Sequence, residues 1–87
     1  MNTTTIMQKA HETMDKLNAA STIEEFETLA NCLFFLGGKL EDFEDPMAEK
    51  VNNLANEVFG MIAQMRKARA EEKAMRERLA RKIANFG

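Results

Sequence analysis

The chain has 87 residues, with 12 Lys and Arg against 14 Asp and Glu, one His, one Cys, one Pro and neither Trp nor Tyr. That length admits one small domain with a modest core; a single thiol excludes a disulfide framework, a cysteine-based zinc site and a Cys-x-x-Cys redox pair, and a single imidazole excludes histidine-rich metal binding. The formal net charge of −2 is uneven: residues 1–65 carry 4 basic and 11 acidic side chains and residues 66–87 carry 8 basic and 3 acidic, an acidic body followed by a basic tail.

Ala, Leu, Met, Glu, Lys and Arg dominate and Val is scarce, so helices are favoured over strands. The first predicted helix runs from about Thr4 or Thr5 to Ala19. Ile6, Ala10, Met14 and Leu17 recur at helical spacing as one apolar stripe, and Thr3 to Thr5 offer capping hydroxyls. Asn18 to Ser21 read as a turn.

Ser21 followed three residues later by Glu24 predicts the start of the second helix as a capping box, with Glu24, Glu25 and Glu27 suited to the positive end of the helix dipole. Phe26, Leu29, Ala30, Leu33 and Leu36 form its buried side. Phe34 and Phe35 extend the apolar character nearly all round, which calls for cover on several sides. Cys32, inside the same run, reads as a small buried hydrophobe. Gly37-Gly38 predicts the helix stop, and Lys39 to Asp45 an acidic connector in which Leu40 and Phe43 tuck onto the core.

Asp45-Pro46 predicts the third helix, with Asp as N-cap and Pro at the first helical position. No breaker follows before Gly87 except Gly60, so the expectation is one helix of some 40 residues, about 60 Å long. Val51, Leu54, Val58, Met61 and Met65 form a heptad seam, broadened by Ala55 and Ile62. The expected fold class is therefore all-α: two short helices packed on a long third helix, one domain spanning 1–87 with its core in 4–65 and a projecting, coiled-coil-like basic helix over 66–87.

Two features of that projecting helix are candidate functional sites. Met65, Met75, Leu79, Ile83 and Phe86 make an apolar stripe suited to a protein partner or a second copy in a homodimer. Ala68 falls on the same stripe, and Glu72 interrupts it. Arg66, Lys67, Arg69, Lys73, Arg76, Arg78, Arg81 and Lys82 make a basic patch that suits nucleic-acid phosphates, an acidic protein surface or a solvated coiled-coil exterior. Interspersed Glu71, Glu72 and Glu77, able to pair at i,i+4 spacing, and the lack of aromatic stacking platforms in this segment weigh against nucleic acid. The acidic residues around Glu24–Glu27 and Glu41–Glu49 suit mimicry of nucleic-acid charge, reception of a neighbouring copy's basic tail, or plain helix-start electrostatics.

Catalysis has little to build on. Glu41, Asp42, Glu44 and Asp45 lack the ligand spacing of a calcium loop, Gly37-Gly38 follows a helix and is no phosphate loop, and nothing pairs Cys32 with His11, the only imidazole base. The expected function is non-catalytic protein binding, by a small adaptor, assembly factor or inhibitor of the phage type. The alternative is nucleic-acid binding through the basic helix. No catalytic residue, metal, cofactor, small-molecule substrate or membrane contact is expected. The lone thiol, the polar N-terminus and an apolar run no longer than Cys32–Leu36 suggest a cytoplasmic setting.

Overall fold

The structure, a computed structural model, describes residues 2–67 and 72–86. Those residues form four α-helices: α1 (Thr3–Ala19), α2 (Ile23–Asp42), α3 (Met47–Lys67) and α4 (Glu72–Ala84). The fold is all-helical, as composition implied, but with four helices where three were expected. No helix among the described residues is long and apolar enough to cross a membrane.

α1 begins one residue earlier than the hydroxyls of Thr3–Thr5 suggested, because Asn2 is the cap. Its side-chain oxygen accepts from the Thr5 backbone N–H at 2.8 Å, and asparagine ranks among the strongest N-caps. The expected stripe of Ile6, Ala10, Met14 and Leu17 is buried.

The N-cap of α2 falls at Thr22, one residue after the expected Ser21. Thr22 accepts from the Glu25 N–H at 3.1 Å, and the hydroxyls of Ser21 and Thr22 each donate to Glu25 Oε1 at 3.2 Å. Ser21–Glu24 and Thr22–Glu25 both have box spacing, so local chemistry alone does not choose between them.

The second correction to α2 is its length. It runs straight through Gly37 and Gly38, neither of which has positive φ. Gly37 is buried where α2 meets α3, and a Cβ there would collide with the side chain of Asn52, which donates to Glu41 Oε1 at 2.6 Å. Its missing side chain serves close helix packing and not a turn. The stop falls six residues after Gly38, at Glu44, the one non-glycine residue with positive φ (54°) among the described residues. Around it the Asp45 N–H donates to Leu40 O at 3.0 Å and the Glu44 N–H to Glu41 O at 2.9 Å, the paired bonds of a Schellman motif. Leu40 is buried as expected, whereas Phe43 stays exposed at this corner.

Asp45 closes α2 and opens α3: its carboxylate accepts from the Met47 N–H at 2.8 Å and its carbonyl from the Ala48 N–H at 3.0 Å. The seam of Val51, Leu54, Val58, Met61 and Met65 is buried, with Ala55 and Ile62 beside it. α3 passes through Gly60 without interruption and ends at Lys67.

The projecting helix is the largest correction. α4 packs back against α1 and α3, and the longest axis of the molecule is 40 Å, short of the roughly 60 Å a continuous third helix requires. The core therefore reaches past residue 65 to Met75 and Leu79, 3% and 2% exposed. Leaving both in water would forfeit about 3–6 kcal/mol together, which favours docking over projection. Ala68, Arg69 and Glu71, assigned above to the stripe and the basic segment, lie outside the described residues, as does the side chain of Glu72.

Candidate protein-docking face

The packing of α4 decides the fate of the two sites expected on it. Met65, Met75 and Leu79 are buried, and Ile83 and Phe86 pack half-buried against the same core. This stripe is an inner face of the bundle and not an outer one. Phe86 meets the ring of His11 edge-on, centroids 6.0 Å apart.

The basic residues are on the outside, but several are tied to the chain's own acidic body. Arg66 pairs with Glu27 of α2, and Lys82 Nζ lies 3.2 Å from Glu57 Oε1 of α3. Arg76 is half-buried, with its guanidinium 5.5 Å from the Phe26 ring centroid and a hydrogen bond donated to the Ala20 carbonyl. Lys67, Lys73, Arg78 and Arg81 are exposed. Attraction between acidic body and basic tail is thus partly satisfied within one chain; exposed pairs of this kind contribute at most about 1 kcal/mol each.

Among the described residues, the large apolar side chains left exposed lie on α2 and at its C-cap. Phe35 is 59% exposed, Phe43 53% and Phe34 38%. Phe34 is steadied by an offset stack on Phe59 of α3, centroids 5.3 Å apart and rings inclined by 29°. Phe35 has no such cover and carries the Lys39 ammonium 5.3 Å from its centroid. The periodicity already contained this result. Phe35 follows the buried Phe26 by nine residues, and at 3.6 residues per turn that is half a turn round the helix. An apolar run bridging both sides of α2 hid it.

Phe35 forms one wall of an open groove along the α1–α2 seam. A hollow of about 620 Å³ is bounded by Lys9, Glu12, Thr13 and Lys16 from α1 and by Thr28, Asn31, Cys32, Phe35 and Leu36 from α2. A second, of about 450 Å³, shares Lys16 and Thr28 with it and runs on to Glu24, Glu25 and Leu29. Together they follow α2 from Glu24 to Leu36, about 18 Å at 1.5 Å per residue. Cys32, expected in the core, is exposed in this groove. It is not brought to His11, which sits against Phe86.

Among the described residues, no three His, Cys, Asp or Glu side chains gather as metal ligands would. The groove offers apolar surface, hydroxyl and amide groups and rim charges of both signs. Comparison with known proteins finds no matching family model, no similar curated protein and no similar solved structure.

Proposed function

We propose that this chain is a non-catalytic protein-binding module, an adaptor, assembly factor or small inhibitor, that docks a helix of another polypeptide along the α1–α2 groove with Phe35 as the anchor. The observation that carries this reading is the exposure of Phe35, a full-sized aromatic side chain standing 59% free at the edge of an 87-residue fold that has buried its other helical stripes. Aromatic anchors beside an apolar trough are where binding energy concentrates in protein interfaces. A straight groove some 18 Å long matches about three turns of helix.

Nucleic-acid binding through α4 has less support. Its exposed cations share their helix with Glu77, and Arg66, Arg76 and Lys82 are engaged with the chain's own groups.

The test compares wild type, Phe35→Ser and a triple reversal of Lys73, Arg78 and Arg81 to Glu, each immobilised and offered cell extract, with the captured species then purified and titrated back. A protein that binds wild type and the triple variant alike, but Phe35→Ser at least about tenfold more weakly, supports the reading. Duplex DNA bound through the basic residues, steeply weakened by salt and indifferent to Phe35→Ser, would overturn it.

A further inference from the structure

The seam between α1 and α2 carries charges of both signs, with Lys9, Glu12 and Lys16 on the α1 side, but the α2 ridge alone runs from an acid to a base. Glu24 stands at the N-terminal end of α2, exposed and lining the groove. Lys39 stands near the C-terminal end, its ammonium against the Phe35 ring. Along the outward ridge of α2 the order is therefore acid at Glu24, small and polar at Thr28 and Asn31, aromatic at Phe35, base at Lys39. Glu25 at the acidic end is occupied, since it accepts from the hydroxyls of Ser21 and Thr22, which leaves Glu24 as the outward carboxylate.

That order is self-complementary. If a second α2 is laid antiparallel on the first, with the two-fold axis crossing between Asn31 and Cys32, residues pair when their numbers sum to 63. Glu24 of each copy then faces Lys39 of the other, and Phe35 faces Thr28 across the opposite groove. The charge pair and the aromatic insertion each form twice, as an isologous interface requires. Among the described residues, the apolar stripe shared by α3 and α4 is already spent inside the monomer.

We propose that the occupant of the groove is a second copy of this chain, docked antiparallel through α2, with Phe35 inserted beside Thr28 and Glu24 paired with Lys39 across the dyad. This rests on the reading of the groove as a protein-docking site and names the partner. The arrangement brings the two Cys32 residues to within one position of the axis, so the exposed thiols report on the geometry.

The experiment measures light-scattering mass of the intact chain over a concentration series, for wild type, Glu24→Lys, Lys39→Glu and the double exchange. Wild type is expected at twice the 9.9 kDa chain mass. Each single reversal sets like charges opposite one another at two places, which should weaken the dimer by about tenfold or more. The double exchange rebuilds both pairs with reversed sign and should restore it. Mild oxidation should trap a Cys32–Cys32 cross-link in wild type and none in Cys32→Ser. A chain that stays at 9.9 kDa into the hundreds-of-micromolar range, or a dimer indifferent to all three charge variants, overturns the proposal. If the monomer nevertheless binds a different protein through Phe35, the docking reading stands and only the identity of its partner falls.

Discussion

Three backbone positions show how single residues shape this chain. Glu44 carries a left-handed conformation that costs a non-glycine residue about 1 kcal/mol or more. Replacing it with Gly should stabilise the protein by about 0.5–1 kcal/mol after allowing for the extra freedom of the unfolded chain, read as a higher urea midpoint. Gly60 sits in mid-helix with nothing within 4 Å of an added Cβ, so Gly60→Ala should stabilise by about 1 kcal/mol. Gly37→Ala should lose most of that gain, about 1 kcal/mol relative to Gly60→Ala, because Asn52 must move and release Glu41. Pairing it with Asn52→Ala should recover most of that loss. The sequence expectation of a stop at Gly37-Gly38 fails here for a physical reason. Glycine serves close packing as well as turns, and only the tertiary partner, Asn52, tells the two uses apart.

Among the helices, α4 is where local pattern and tertiary packing diverge. The stripes of α1, α2 and α3 were legible from spacing, down to Ile6, Leu33 and Val58, and so were the Asp45 cap and the heptad seam. The return of α4 was not. No Gly or Pro lies between Gly60 and Gly87, so propensity favours one long helix, and burial of Met75 and Leu79 decides against it. Leu79→Ala should therefore cost about 2–5 kcal/mol in denaturant unfolding, whereas a side chain on a projecting helix would cost little. Glu27→Ala, which removes the exposed partner of Arg66, should cost about 1 kcal/mol or less. The same divergence explains why the candidate site was misplaced. A stripe taken for a docking surface became core, and the exposed aromatic surface lies on the side of α2 that the continuous Phe34-Phe35 run obscured.

For the whole molecule, one small core supports a fold whose charge is partly neutralised within itself and whose uncovered apolar surface is concentrated on α2. Removing Phe35 should then separate binding from folding. Phe35→Ser should leave the unfolding free energy of the dilute chain within about 0.5 kcal/mol of wild type, while Leu79→Ala should unfold it readily. Because Glu24 and Lys39 are both at the surface, association through them should weaken between 0.1 M and 1 M salt, as screening shortens from about 10 Å to about 3 Å. The measurement that bears most directly on the docking face is photo-crosslinking from position 35, with Phe35 replaced by benzoyl-phenylalanine and a control label at exposed Gln64 of α3. The account predicts a discrete protein adduct from position 35, at twice the chain mass for the purified protein, and none from position 64. Equal labelling from both positions, or no protein adduct from position 35, would contradict it.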